Sequence, residues 1–196
     1  MTGMSVRWVP GLLLVAGGLQ AADWGAPSAY GFQAALVLPN SPDLRITAGS
    51  PGYALGVHGT WVLQGRHSLR PRLDLTWLPS ASQASSGAGS SQAMTTKVSS
   101  RSVGADYLYQ LDDRWSLGVG LAATRWAVAS THTLTLVPGA PVTQNGTSSW
   151  WRQGLGVVAT YRITRQWEAE VRFLRSHYGQ ENQVASTATT GLLWRF

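Results

Sequence analysis

The sequence contains no cysteine, and charged residues make up only 12 % of its 196 residues. Without cysteine, the chain can form neither a disulfide framework nor a thiolate metal site. The charged fraction is about half the usual share, which argues against a disordered chain kept in solution by its charge. No apolar run reaches the roughly 18–20 residues that a membrane-spanning helix needs. The length is that of one domain with a core of its own.

Lysine is also nearly absent, because fourteen of the fifteen basic residues are arginine. Nine acidic residues oppose them, so the formal net charge is +6. A basic balance is compatible with nucleic acid, with anionic lipid or with no specific partner. Composition therefore leaves the function open.

The first residues have the layout of a secretory signal peptide. A short polar start with Arg7 precedes the apolar stretch Val9–Leu19, and small residues follow, among them Ala21. Proline and glycine inside this short apolar stretch argue against the alternatives, a membrane anchor or a buried helix. We predict a signal peptide over residues 1–21, cleaved on export, and one domain over residues 22–196. Export argues against nucleic acid as the partner.

Nearly all of the remaining chain alternates between apolar residues and small or polar ones, which is the pattern of strands with one apolar face. In segment 30–38, for example, Phe32 and Leu36 share one parity and Gln33 has the other. Eight such segments follow one another, with no helical period between them, so the sequence predicts an all-β domain. One residue does not fit. Trp126 has the polar parity of its segment, which predicts a bulge or the end of the strand.

The connections between the segments alternate in length, so the long ones gather at one end of the sheet and the short ones at the other. The short connections are residues 64–67, 112–114 and 163–165. Polar composition predicts solvated loops for the long connections, which are residues 39–52, 80–96, 129–149 and 179–185.

Two arrangements satisfy this alternation: the apolar face points inward, as in a soluble lipocalin-like barrel, or outward into lipid. The apolar parity carries many large rings, such as Trp115 and Trp151, which would overfill an eight-stranded barrel. The other parity carries glycine and charges, which suit a narrow, filled lumen. A selective pore is an alternative for the same charges, but eight strands leave no continuous water channel. We predict a lumen ion-pair network of Arg70, Arg72, Asp74, Asp106, Arg152, Arg162, Glu168, Glu170 and Arg172.

The segment lengths and the aromatic residues also favour the outward arrangement. About ten residues at a rise of roughly 3.3 Å, tilted by about 45°, span roughly 23 Å, close to the apolar band of a transmembrane barrel. Aromatic residues gather at both ends of the outward faces, as in interfacial girdles. At the short-turn end these are Tyr30, Trp61, Tyr109, Trp115, Tyr161, Trp167 and Trp194, and at the long-loop end they are Tyr53, Trp77 and Trp151.

The last residues carry a resemblance to a known family. The alternating pattern of Ala188, Thr190, Leu192, Trp194 and the terminal Phe196 resembles the C-terminal signal that the barrel-insertion machinery recognises in bacterial outer-membrane barrels. This resemblance assigns the insertion signal to Leu192, Trp194 and Phe196. With the signal peptide and the eight strands, the whole mature chain resembles the small OmpA/OmpX-type barrels and the opacity-like surface antigens.

The resemblance implies a fold, a location and a class of function. The fold is an eight-stranded antiparallel up-and-down transmembrane β-barrel, and the location is the outer membrane of a Gram-negative bacterium. The implied role is surface interaction, adhesion or envelope integrity, with an unknown extracellular partner bound by the four long loops.

A catalytic alternative comes from small outer-membrane barrels that act on lipid A. His177 and Tyr178 match part of the His-Tyr-Ser motif of the lipid A deacylases. Gly179 stands where the nucleophilic serine is needed, and no acidic residue follows in the last segment. Ser176 points to the face opposite that of His177, and Glu181 lies too close to His177 in the chain to supply the acidic residue. We therefore predict no catalytic residues, no cofactor and no metal site.

Four basic residues interrupt the apolar outward parity: Lys97, Arg101, Arg125 and Arg175. All four lie at the long-loop ends of their segments, where outward charge costs little compared with about 2–4 kcal/mol at the membrane midplane. The outer leaflet there presents lipopolysaccharide, whose phosphates fit the guanidinium fork. We predict lipopolysaccharide contacts for these residues, and the alternative is that their side chains simply extend to water.

Overall fold

Eight β-strands and one short helix make up the structure, a computed structural model that describes residues 26–63, 65–87, 89–136, 139–178 and 183–196. The elements are β1 (Ala29–Pro39), α1 (Pro42–Thr47), β2 (Gly52–Val62), β3 (His67–Gly87), β4 (Ser90–Gln110), β5 (Trp115–Leu136), β6 (Val142–Arg162), β7 (Trp167–Tyr178) and β8 (Gln183–Arg195). Each strand is antiparallel to the next, and β1 pairs with β8, so the sheet closes on itself. The predicted eight-stranded antiparallel up-and-down barrel is confirmed. The predicted signal peptide, residues 1–21, lies outside the described residues.

The outward face of the barrel is apolar, as predicted. In β1, Gln33 and Val37 point inward and are buried, whereas Phe32 and Leu36 point outward and are exposed. The same alternation continues around the barrel, and Leu155 of β6 reaches 67 % exposure. Water-soluble monomers rarely expose more than a few hundred Å² of contiguous apolar surface. This outer surface therefore requires an apolar surrounding.

Four strands continue well beyond the closed part of the barrel. β3, β4, β5 and β6 contain 21 or 22 residues each, about twice the number that crosses an apolar band. We call the part beyond the closed barrel the extension, a four-stranded sheet of residues 79–87, 90–98, 127–136 and 142–150. The prediction of solvated loops at 80–96 and 129–149 is therefore wrong.

The extension escaped prediction because neither of its faces is a continuous apolar surface. Period-two alternation marks a strand only where one face is apolar and the other polar. Here the pairing is supported by backbone hydrogen bonds and by hydroxyl contacts between strands. The side-chain oxygens of Ser82 and Thr95 lie 3.2 Å apart, and those of Thr133 and Thr143 lie 3.3 Å apart. Threonine also favours the extended backbone.

The first long connection, 39–52, contains helix α1, which no helical period predicted. Leu44 of α1 is completely buried and packs into an apolar cluster inside the mouth of the barrel. We call this cluster the apolar plug, which consists of Val37, Leu44, Ala48, Leu78, Val98, Trp126 and Ala185. Among the described residues, no helix is long and apolar enough to cross a membrane.

The position of Trp126 corrects another prediction. The register of β5 with β4 and β6 is continuous at Trp126, so neither a bulge nor a strand end is present there. The side chain points inward, as its parity requires, and is 3 % exposed within the apolar plug. Trp126 fits because the inner face changes from polar to apolar at this end of the barrel.

Candidate functional site

Charged side chains from five strands meet in the closed part of the lumen. Glu170 of β7 is 1 % exposed. Its carboxylate lies 2.6 Å from Arg70 Nη2 and 3.0 Å from Arg172 Nη2, and it accepts a hydrogen bond from Gln33 Nε2 at 2.9 Å. Three donors from three different strands therefore surround this buried carboxylate.

Asp106 of β4 is a second centre of the same cluster. Its carboxylate lies 2.5 Å from Arg172 Nη2, 3.3 Å from Arg72 Nε and 3.6 Å from Arg70 Nε. Arg72 also forms an ion pair with Asp74. Because the same arginines serve several carboxylates, the charges form one network rather than separate pairs.

The network continues to Glu168 at the short-turn end. Glu168 Oε1 lies 2.5 Å from Arg195 Nη1 and 3.8 Å from Arg162 Nε. Eight of the nine residues predicted for the lumen form ion pairs here, and Arg195 joins them although it was not in the predicted set. Arg152, the ninth, donates a hydrogen bond from Nη1 to the carbonyl oxygen of Trp151 at 3.0 Å.

The network leaves little space in the lumen. Two small cavities remain, each large enough for a few water molecules. The upper cavity, of about 50 Å³, lies on the mouth side of the network, and the lower one, of about 70 Å³, lies on its short-turn side. The upper cavity is lined by Arg72, Arg172 and several serine and threonine hydroxyls. Arg72 Nη2 and Arg172 Nε are buried without a hydrogen-bond partner among the described residues, and water in this cavity would satisfy them. Chemically, the lumen is filled by five arginines that face four carboxylates, with the apolar plug above them.

The four outward basic residues are all exposed, but the strand register places only Arg101 and Arg125 side by side. Arg101 of β4 and Arg125 of β5 are direct cross-strand partners. Lys97 lies four residues from Arg101 on the same face of β4. Arg175 of β7 lies apart, because β6 separates its strand from that of Arg125 and its partner there is Leu155.

A groove of about 480 Å³ lies on the outer surface; Lys97 lines it, and Arg125 reaches it through a hydrogen bond to the lining residue Ser149. We call it the rim groove, and its floor is formed by the small residues Ser99, Ala127 and Ser149. Sequence parity identified the cations but not this floor. Small residues on three different strands form a depression only when the register places them side by side.

The three residues of the predicted insertion signal lie outward at the seam between β8 and β1. Leu192, Trp194 and Phe196 are exposed. The ring of Phe196 lies 5.3 Å from that of Trp194 and 6.4 Å from that of Tyr30, measured between centroids. The backbones of Phe196 and Tyr30 exchange two hydrogen bonds of 3.1 and 3.2 Å. The last residue thus belongs to the seam that closes the barrel.

The catalytic alternative concerns the outer end of β7. Ser176 is buried on the inner face, opposite Gly154. The side chain of His177 and residues Gly179 and Glu181 lie outside the described part of the chain. Within the described part, no group of three or more His, Asp or Glu side chains could hold a metal ion.

Known structures share this architecture. The attachment invasion locus protein Ail of Yersinia pestis aligns over 87 % of this chain and 99 % of its own, with a TM-score of 0.54 and 11 % identity. A major outer membrane protein of Thermus thermophilus aligns over 86 % of this chain and all of its own, with a TM-score of 0.56 and 13 % identity. The predicted resemblance to small outer-membrane barrels is confirmed at the level of the fold. No protein-family model matches the sequence, and no curated protein is significantly similar to it.

Proposed function

We propose that this chain is a non-enzymatic barrel of the Gram-negative outer membrane, exported with a cleaved signal peptide and folded by the barrel-insertion machinery. Its role is surface interaction, adhesion or envelope integrity, exercised through the extension. The observation that carries the proposal is the inverted distribution of polarity, with apolar side chains outside and an ion-pair network inside.

The outer surface supports a membrane location. A closed barrel satisfies its backbone hydrogen bonds internally, which is what hydrocarbon demands of a spanning sheet. Outward aromatic residues lie at both ends of the apolar belt, including Trp115 and Trp167 at the turn end and Tyr53 and Trp151 at the other. Such girdles occupy the two membrane interfaces of outer-membrane barrels.

The interior supports a structural role rather than transport. Asp106 and Glu170 are at most 1 % exposed, and they are shared among arginines that project from β3 and β7. A lumen filled in this way has no path for a solute. The same charges stabilise the barrel only while every partner is present.

The extension supports a role in surface interaction. Within the part of the chain that the structure describes, β6 has no partner strand on its β7 side between Val142 and Gln153, because their pairing begins at Gly154. Residues 142–149 of this edge contain no charge and no proline, the devices that usually protect an edge strand. An unprotected edge can pair with an extended segment of another protein. The extension therefore replaces the predicted loops as the surface for an extracellular partner.

The absence of native cysteine allows a direct test of location and topology. We would introduce Ser86→Cys in the extension and, as the matched control, Asp113→Cys in a short turn, and treat intact cells with a membrane-impermeant maleimide. Ser86→Cys should be labelled on intact cells, and Asp113→Cys only after the outer membrane is opened. Unboiled protein from the outer-membrane fraction should migrate anomalously in electrophoresis and shift on heating.

Three results would contradict the proposal. They are a heat-insensitive protein in the periplasmic fraction, equal labelling of both cysteines on intact cells, and a change in the mass spectrum of lipid A on expression. The last result would favour the lipid A hydrolase instead.

A further inference from the structure

The rim groove lies between two sets of basic residues. Across β4 and β5, one outward row contains the Arg101–Arg125 pair, the next row belongs to the groove floor, and the third contains Lys97. Trp77 also lines the groove, and Trp151 is the cross-strand partner of Arg125. Exposed tryptophans of this kind mark the depth at which lipid headgroups begin.

Arg101 and Arg125 carry like charges at directly opposed positions, an arrangement that destabilises a strand pair. Their partners on the other side, Leu75 and Trp151, are uncharged, and the lining of the adjacent groove contains no Asp or Glu. Ser149 Oγ accepts a hydrogen bond from Arg125 Nη2 at 3.2 Å, but it brings no charge. An anion between the two guanidinium groups would remove the repulsion, and a phosphate can form bidentate hydrogen bonds with each group.

The position of Lys97 indicates a second anionic group. Four residues along β4 separate it from Arg101, about 13 Å at a rise of roughly 3.3 Å per residue. The floor between them is uncharged and offers two serine hydroxyls. The groove therefore suits a ligand with two anionic groups about this far apart on an uncharged, hydroxyl-rich body.

We propose that the rim groove binds the headgroup of a diphosphorylated glycolipid of the outer leaflet, the chemistry of the lipid A portion of lipopolysaccharide. One phosphate lies between Arg101 and Arg125, the second at Lys97, and the sugar body covers the groove floor. This inference rests on the proposed outer-membrane location. It narrows the set of four cations predicted from the sequence, because Arg175 lines a different groove, with Leu155 and Val184.

The test measures the midpoint of thermal unfolding of the whole refolded barrel in detergent micelles, at low salt, with four additives. These are diphosphorylated lipid A, monophosphorylated lipid A, phosphatidylglycerol and inorganic phosphate. The double variant Arg101→Gln/Arg125→Gln keeps polarity but removes the charge and the guanidinium forks. Arg175→Gln is the control on the same rim.

Wild type should be stabilised at lower concentrations of diphosphorylated lipid A than of phosphatidylglycerol, and inorganic phosphate should have little effect. For the double variant, the concentration of lipid A that gives half-maximal stabilisation should rise about tenfold or more, as expected for the loss of a charge-assisted contact. Arg175→Gln should stay within about twofold of wild type, well below the tenfold that such a contact represents. Lys97→Gln should respond equally to the diphosphorylated and monophosphorylated forms.

The proposal is wrong if the double variant responds like wild type, or if Arg175→Gln is impaired as strongly. It is also wrong if phosphatidylglycerol or inorganic phosphate stabilises as well as lipid A, because the rim would then bind anions without selectivity. The shift of each variant on heating in electrophoresis reports folding separately. If the protein shows no selectivity for lipid A but still shifts on heating, lipid binding by the groove is rejected, whereas the proposed function is not.

Discussion

At the scale of single residues, the buried carboxylates depend on the glycines beside them. Gly56 of β2 lies directly opposite Asp74 of β3, and a Cβ atom there would lie 2.5 Å from Asp74 Oδ1. Gly120 of β5 has the same relation to Asp106 of β4. Glycine on the inner parity thus leaves room for a carboxylate to turn toward its arginines. The glycines and the charges, which share the inner parity of the sequence, are therefore two parts of one arrangement.

Replacing Glu170 with alanine should strongly destabilise the barrel. The substitution leaves Arg70 buried without its nearest counter-charge and removes one of the carboxylates that Arg172 contacts, and breaking one side of a buried ion pair costs about 3–5 kcal/mol. Equilibrium unfolding in urea, with the barrel in lipid vesicles, measures the loss. Asp113→Ala in an exposed turn is the control and should change the unfolding free energy by less than about 0.5 kcal/mol. Equal effects of the two substitutions would argue against the network.

Asp112 makes one short turn sensitive to acid. Its Oδ1 accepts hydrogen bonds from the backbone N–H groups of Trp115 and Arg114, both at 2.7 Å, and these bonds lower the pKa of the carboxyl. A lowered pKa in the folded state stabilises the fold above the unfolded value of about 3.9. This contribution is lost as the pH falls through the folded value.

The unfolding free energies of wild type and Asp112→Ala should therefore differ at neutral pH and converge in acid. Parallel urea titrations at pH 7 and below pH 4 measure this. Asp113→Ala removes a charge from the same turn and serves as the control. A difference that stays constant with pH would show that the two backbone hydrogen bonds do not depend on the charge of Asp112.

At the scale of elements, the inner face is divided along the barrel axis. The ion-pair network lies nearer the short turns, and the apolar plug lies near the mouth, where α1 lies over the lumen. Trp126 belongs to the apolar part. Its parity, which did not fit the pattern of its segment in the sequence, points its side chain inward into the plug. The extension then continues β3 to β6 without a closed interior.

The apolar plug should contribute measurably to stability through Trp126. Truncating a buried tryptophan to alanine leaves a cavity and costs about 3–5 kcal/mol. Trp151→Ala on the outer face is the matched control, because that side chain is 57 % exposed and its loss leaves no cavity. Urea unfolding of both variants should give a clearly larger loss for Trp126→Ala. A larger loss for Trp151→Ala would mean that the plug adds little.

The C-terminal residue should matter for assembly, since it completes the seam between β8 and β1. Deleting Phe196 removes two backbone hydrogen bonds with Tyr30 and the ring contact with Trp194. The yield of heat-modifiable protein in the outer membrane should fall, with unfolded chain left in the periplasm. Phe196→Tyr keeps the aromatic ring and should restore assembly. Unchanged assembly of the deletion would argue against an insertion signal at this position.

At the scale of the whole molecule, two parts of one sheet are suited to two different surroundings. Its closed part is apolar outside and charged inside, whereas the extension exposes polar side chains and the long unprotected edge of β6. The first part fits a membrane and the second fits water. A single uninterrupted register through β4 and β5 joins both, so the extension and the barrel are parts of one continuous sheet.

A filled lumen predicts that the purified protein will not conduct ions steadily. In planar lipid bilayers, wild type should show no stable conductance on the nanosiemens scale, because the network and the apolar plug occupy the path. Protein heated before addition controls for contaminating channels. Stable channels that vanish on heating would overturn the filled lumen and favour the pore.

The sequence by itself determined the strands of the closed barrel, their number and which face lies outward. In the closed barrel, one face of each strand meets an apolar medium and the other meets a filled lumen. Apolar and polar residues therefore alternate along each strand, as Phe32 and Gln33 do. Parity alone also selected the lumen charges and the outward cations. These properties are local, because each depends on residues only two positions apart.

Tertiary structure alone decided the extension, helix α1, the inward place of Trp126 and the grouping of the charges. Arg70 and Glu170 are 100 residues apart in the chain, so only closure of the barrel brings them within 2.6 Å. The strand register likewise pairs Arg101 with Arg125 and leaves Arg175 apart. In the extension, most side chains on both faces meet water, so the sequence shows no alternation of apolar and polar residues. The strands are held together by backbone hydrogen bonds, which do not depend on the type of side chain.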